Sequence, residues 1–125
     1  MSETYFFDTY ALVEIIKGSE NYKKYKDSKI VTTLLNLMEF HFSVMKDLGN
    51  EKAVMFFNEL KPFVIGFDDK DILNANYFKH KENSKGKKIS YIDALGYVLA
   101  VKKNIKFLTG DKDFEDVTNV EYVKG

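Results

Sequence analysis

The stretch Tyr5-Phe6-Phe7-Asp8-Thr9 joins a short aromatic run to an acidic residue. We interpret the run as a buried strand and residues 9–17, which carry apolar side chains at helical spacing, as the helix that follows it. The stretch Ile105-Lys106-Phe107-Leu108-Thr109-Gly110-Asp111 places another strand before another acid. Acids that follow the carboxyl ends of parallel strands meet at the ligand-binding edge of an α/β sheet.

The rest of the chain alternates in the same way. We predict further strands at 30–32, 63–67 and 120–123, helices at 33–48, 51–60, 68–78 and 90–103, and a lysine-rich loop at 79–88. Short strands that alternate with helices favour parallel β-α-β units. The expected fold is α/β: a three-layer α/β/α sandwich with a central, mostly parallel sheet, formed by residues 1–125 as a single domain.

Composition removes several classes of function. The chain has 125 residues and no cysteine, which excludes disulfides and thiolate metal sites. Its formal net charge is zero, which excludes a strong overall electrostatic field. No apolar run reaches the roughly 18 residues of a membrane span. The segment Met1 to Asp8 lacks a basic region followed by an apolar one, so we expect no signal peptide and a cytoplasmic location. All 19 basic residues are lysines. A basic side chain that contacts a phosphate would therefore do so as a lysine point charge and not as a bidentate guanidinium group.

Four acids are the candidate site residues: Asp8, Glu39, Asp93 and Asp111. Two follow predicted strands and two lie in apolar, helix-like segments, so one crevice can receive all four. Clustered carboxylates repel one another in a low-dielectric site unless a cation is present. An all-oxygen ligand set suits Mg²⁺ or Mn²⁺, and such a site can promote phosphodiester hydrolysis.

Each acid also has a structural interpretation. Asp8 can be a simple helix cap, and Glu39 can belong to a solvated polar stripe. Asp93 fits a capping box with Ser90, and Asp111 fits an ordinary Gly-Asp turn. The joint placement of the four acids favours the crevice.

The motifs that hold these acids resemble those of the PIN domain family, and most closely its small VapC-like toxins. The matching segments are Phe7-Asp8-Thr9-Tyr10-Ala11-Leu12, Glu39, Tyr91-Ile92-Asp93-Ala94-Leu95 and Leu108-Thr109-Gly110-Asp111-Lys112-Asp113-Phe114. The resemblance implies a Mg²⁺- or Mn²⁺-dependent endoribonuclease, the toxin of a toxin–antitoxin pair, often dimeric and inhibited by its antitoxin protein. It assigns catalysis and metal binding to Asp8, Glu39, Asp93 and Asp111, with Thr9, Thr109 and Asp113 as auxiliary residues. The absence of arginine departs from many of these toxins.

Two alternatives stay open. The domain can be a PIN-like RNA-processing or RNA-binding module with weak or no cleavage. A haloacid-dehalogenase-like phosphatase is less compatible, because Tyr10 stands where that family needs a second aspartate. The lysines before the Asp93 helix are candidate RNA contacts, although an exposed, solubilising loop is the favoured interpretation: Lys79, Lys81, Lys85, Lys87 and Lys88.

Overall fold

The central sheet has four parallel strands in the order β2-β1-β3-β4. The computed structural model describes residues 3–125, and Met1 and Ser2 of the segment used in the signal-peptide expectation lie outside them. The strands are β1 (Thr4–Phe7), β2 (Lys29–Val31), β3 (Lys106–Thr109) and β4 (Val120–Tyr122). Phe7 pairs in register with Leu108, so Asp8, the first residue beyond β1, lies beside Thr109, the last residue of β3.

Helices cover both faces of this sheet. They are α1 (Thr9–Lys17), α2 (Leu34–Leu48), α3 (Asn50–Leu60), α4 (Asp69–Asn83) and α5 (Tyr91–Lys102), and a 3₁₀ segment spans Glu20–Tyr25. Helices α1 to α3 share one hydrophobic cluster with Tyr5 and Phe7, whereas α4 and α5 share the other with Phe6 and Phe107. Successive side chains of β1 therefore point to opposite faces of the sheet, as strand geometry requires. The predicted three-layer α/β/α sandwich is confirmed.

Close contact between α5 and the sheet depends on Gly96. A Cβ atom at this position would lie 2.6 Å from the Phe6 ring. Phe6 itself stacks on Phe107 of the neighbouring strand, with ring centroids 5.7 Å apart. The small residue therefore brings α5 against the sheet and fixes where its N-terminal turn, with Asp93, lies.

The predicted strand at 63–67 is wrong. Phe63 ends a 3₁₀ turn, and Val64 makes a single parallel bridge with Thr32, supported by a 2.8 Å bond from Ile65 N to Thr32 O. The neighbouring β2 ends at Val31, and the chain enters α2 from its N-cap Thr33, so no longer ladder is available.

The predicted loop at 79–88 is also wrong over its first half, because α4 continues to Asn83. Phe78 and Glu82 are both buried, one helical turn apart, and the Glu82 charge is paired with Lys85 and Lys87. The chain turns only at Gly86, whose φ of +92° favours glycine. None of the helices described for residues 3–125 has both the length and the apolar character needed to cross a membrane.

Candidate active site

Asp8 is both a helix cap and a buried acid of the sheet edge. One carboxylate oxygen accepts a 2.8 Å bond from Ala11 N at the start of α1, and the other accepts a bond from the Thr109 hydroxyl. Only 1% of the residue is exposed. The two interpretations of Asp8 from sequence are therefore compatible, because one oxygen caps α1 while the other joins β1 to the end of β3.

Asp111 lies just beyond β3, in a turn that its own atoms help to hold. Its backbone N–H donates to Thr109 Oγ1 at 3.0 Å, and its Oδ1 accepts from Asp113 N at 3.0 Å. The Thr109 hydroxyl therefore bonds to both Asp8 and Asp111 N. This shared partner ties the two strand ends together.

Glu39 is oriented by a chain of hydrogen bonds from α2 to α1. Its Oε1 accepts from the Thr9 hydroxyl at 2.7 Å, and Thr9 Oγ1 accepts from Asn36 Nδ2 at 3.3 Å. Asn36 is completely buried and accepts in turn from the Thr33 hydroxyl at 2.6 Å. The polar stripe of α2 is thus held against α1 at this point and is not a purely solvated face.

Asp93 lies in the first turn of α5. Its backbone N–H donates to Ser90 Oγ at 3.1 Å, which is half of the predicted capping box. Among the described residues, no hydrogen bond returns from the Asp93 carboxylate to Ser90 N. The carboxylate of Asp93 is therefore available to the sheet edge.

The four acids line one open cleft of about 490 Å³ at the carboxyl edge of β1 and β3. Its lining residues are Asp8, Thr9, Tyr10, Glu39, Asp93, Gly110, Asp111 and Lys112. The structure thus brings all four predicted acids to one place. They come from positions 8, 39, 93 and 111, so the fold, and not sequence proximity, creates the cluster.

Burial and mutual repulsion perturb two of these carboxyl groups. Burial raises the pKa of Asp93 to about 7, and the charges of Asp111 and Glu39 act in the same direction. Burial also raises the pKa of Asp8 well above its usual range, and the Asp93 charge adds to this, whereas the bonds from Thr109 and Ala11 oppose it. A positive ion in the cleft would relieve both effects.

The donor set of the cleft fits a hard divalent cation. Carboxylate and hydroxyl oxygens are its available ligands, and these suit Mg²⁺ or Mn²⁺ better than softer metals. Within residues 3–125, however, no group of three or more His, Cys, Asp or Glu side chains already has an arrangement that would hold a metal ion. The acids share the cleft without forming a closed coordination shell.

The predicted auxiliary residues have different positions. Thr9 and Thr109 bond directly to the acids Glu39 and Asp8. Asp113 does not line the cleft, and its Oδ2 accepts from Lys88 N at 3.0 Å. The Asp113 carboxylate therefore anchors the connection that leads into α5.

The five lysines predicted as RNA contacts do not line the cleft. Lys79 Nζ donates to Ile89 O at 2.8 Å and lies over the Tyr91 ring. Lys85 and Lys87, just beyond the end of α4, pair with Glu82. Lys81 and Lys88 are exposed.

Three cleft residues were not assigned a role from sequence: Tyr10, Gly110 and Lys112. All three lie next to a predicted site residue, so adjacency was the available signal. The ring of Tyr10 packs so closely on Gly110 that a Cβ there would overlap it. His41 Nε2 lies 3.0 Å from Asn50 Oδ1, and this residue does not line the cleft.

Three solved structures illustrate the similarity of this fold to toxin structures. VapC20 of Mycobacterium tuberculosis, a sarcin–ricin loop cleaving toxin, gives a TM-score of 0.76 at 19% identity over 95% of this chain and 98% of that one. VapBC2 of Rickettsia felis, bound to promoter DNA, gives 0.72 at 21% identity over 97% and 99%. A toxin–antitoxin complex of Klebsiella pneumoniae gives 0.71 at 20% identity over 94% and 95%. At these identities the likeness concerns the fold.

A comparison with curated protein sequences gives no match. The PIN domain family, by contrast, matches residues 5–120, which include the four acids of the cleft. This chain therefore belongs to the PIN domain family and shares its fold with VapC toxins.

Proposed function

We propose that this chain is a metal-dependent endoribonuclease, formed as one nuclease domain, and the toxin of a toxin–antitoxin pair. The observation that carries the proposal is the convergence of Asp8, Glu39, Asp93 and Asp111 on one cleft. Family membership supports nuclease chemistry, and the VapBC structures support an antitoxin partner. A cytoplasmic location agrees with this role.

The four acids would hold Mg²⁺ or Mn²⁺ at the edge of the sheet. When bound, such an ion supplies Lewis acidity, which offsets charge on a phosphate and eases loss of a proton from attacking water. Thr9 and Thr109 orient two of the acids through their hydroxyls, and Asn36 orients Thr9. These three polar side chains therefore act by fixing the orientation of the carboxylate oxygens.

The partner proposal has a second source of support in the surface of α2. Leu34, Met38 and Phe42 follow one another at helical spacing, and 48%, 59% and 57% of each is exposed. A continuous apolar stripe of this kind is typical of protein interaction surfaces. It is compatible with the antitoxin and with the expected homodimer.

Cleavage of RNA by the purified protein tests the proposal. We expect cleavage of single-stranded RNA with Mg²⁺ or Mn²⁺, none with EDTA, and a loss of roughly 100-fold or more in Asp93→Asn, since even outer residues of metal sites contribute 10- to 100-fold. Asp47→Asn removes an exposed acid at the end of α2 and is the matched control. Metal-independent cleavage, or full activity of Asp93→Asn, contradicts the proposal. RNA binding without cleavage favours the alternative of a non-cleaving RNA-binding module.

A further inference from the structure

Lys112 is the one basic residue among the eight that line the cleft. It is exposed and stands between Asp111 and Asp113 in the turn that follows β3. Its neighbours in the cleft include the four carboxylates. Lys112 therefore contributes positive charge to the lining of the cleft.

No carboxylate of residues 3–125 forms an ion pair with Lys112, although the cleft is rich in them. Some other lysines are paired with acids: Lys87 contacts Glu82 and Asp116, and Lys102 contacts Asp71. The ammonium group of Lys112 is therefore free to meet an anion that enters from solvent.

The backbone that carries Lys112 is fixed on both sides. Asp111 N donates to Thr109 Oγ1, and Asp113 N donates to Asp111 Oδ1, both at 3.0 Å. Asp113 Oδ2 accepts from Lys88 N, which attaches the turn to the segment before α5. Because these bonds fix the backbone, the unpaired Lys112 side chain keeps its positive charge at the same edge of the cleft.

An RNA strand brings negative phosphates toward four carboxylates, so its approach is opposed unless positive charge is present. We infer that Lys112 is a substrate-binding residue that contacts a backbone phosphate of the RNA next to the cleft. The inference rests on the proposed ribonuclease function and moves the phosphate contact from the 79–88 stretch to the turn after β3. A lysine contact is a point charge and carries no base specificity.

Binding of a labelled single-stranded RNA, measured by fluorescence anisotropy with Ca²⁺ at several NaCl concentrations, tests Lys112 directly. We expect Lys112→Gln to bind roughly three- to tenfold more weakly, and the slope of log affinity against log salt to fall by about 0.7, the share of one phosphate contact on a single strand. Lys112→Arg keeps the charge and should keep the slope. Lys103→Gln, at the opposite end of α5 from Asp93, is the matched control and should match wild type.

A second arm measures cleavage with Mn²⁺. Lys112→Gln should raise KM at an unchanged or slightly reduced kcat, whereas Asp93→Asn should lower kcat by roughly 100-fold or more. The two arms test different proposals. If wild type does not cleave RNA, the ribonuclease proposal is contradicted. The binding measurement still tests whether Lys112 contacts a phosphate. Equal affinity and salt slope in Lys112→Gln and wild type overturn the inference, and so does a lack of RNA binding by wild type at low salt.

Discussion

The Thr109 hydroxyl at the end of β3 donates a hydrogen bond to the Asp8 carboxylate at the end of β1. The same oxygen accepts from Asp111 N, and Thr109 has no exposed surface. One small side chain thus organises two of the four acids. Its position beside Asp8 follows from the parallel register of the two strands.

Thr109→Val should destabilise the fold, because it keeps the side-chain shape but removes the donor to Asp8 and the acceptor of Asp111 N. Buried polar groups left without partners cost about 1–3 kcal/mol in the free energy of unfolding. Thr109→Ser retains the hydroxyl and should lose less. Urea denaturation at neutral pH with EDTA measures the difference, and a larger loss in the serine variant would contradict this assignment.

The stability of the metal-free protein should fall as the pH rises through the range set by Asp93. The pKa of this carboxyl is raised from 3.8 to about 7 in the folded protein. Between these values the folded state binds more protons than the unfolded chain, so the free energy of unfolding decreases with pH and levels off above about 7. Urea denaturation from pH 5 to 8.5 with EDTA measures this slope.

Asp93→Asn removes both the charge and its titration. At pH 8 with EDTA the variant should therefore be more stable than wild type, by roughly 2 kcal/mol after allowance for partial solvent exposure. The slope between pH 5 and 7 should also become shallower. Asp47→Asn, which changes an exposed acid, should leave both quantities unaltered. A destabilised Asp93→Asn at pH 8 would contradict the raised pKa of Asp93, which burial and the neighbouring charges cause.

Gly110→Ala should destabilise the protein by about 1–3 kcal/mol, the usual cost of forced overpacking, since the added methyl overlaps the Tyr10 ring. Gly66→Ala is the matched control, because no atom lies within 4 Å of a Cβ there and its φ is not positive. Thermal melting compares the two variants. Equal melting temperatures would show that the Tyr10 ring moves aside without cost.

Divalent metal should raise the melting temperature of wild type, since cation binding relieves the carboxylate repulsion of the folded state. Ligand at a hundredfold excess over its Kd adds about 2.7 kcal/mol to stability. Asp8→Asn and Asp93→Asn should reduce the Mn²⁺-induced shift, whereas Asp47→Asn should retain it. An identical shift in all of these proteins would place the metal elsewhere.

The sequence was sufficient to predict the four strands of the sheet and the acids at its edge, because both depend on local patterns, although it also predicted a strand at 63–67 that is absent. Aromatic or aliphatic runs followed by Asp8 and Asp111 identify strand ends. Parallel strands then bring such ends together without any knowledge of side-chain contacts. Glu39 was recognisable through its family motif and its position within an apolar helix, and the structure adds the bond from Thr9 that orients it.

The errors arose where distant contacts override local composition. The charged run after Phe78 looks solvent-exposed, yet Glu82 is buried beside Lys87, which also reaches Asp116. Such a contact is invisible to residue spacing. The position of Lys112 in the cleft is a separate case: sequence spacing does not indicate it, because the dense lysine run at 79–88 suggests phosphate contacts more strongly than one lysine inside an acidic motif.

The middle position of β3 in the sheet has a consequence for synthesis on the ribosome. Thr109 and Asp8 are bonded partners, yet 101 positions separate them along the polypeptide. A nascent chain that has released β1 through α5 still has one side of β1 without its partner strand and lacks Asp111 altogether. The acidic cleft therefore cannot assemble until β3 and Asp111 have emerged from the ribosome.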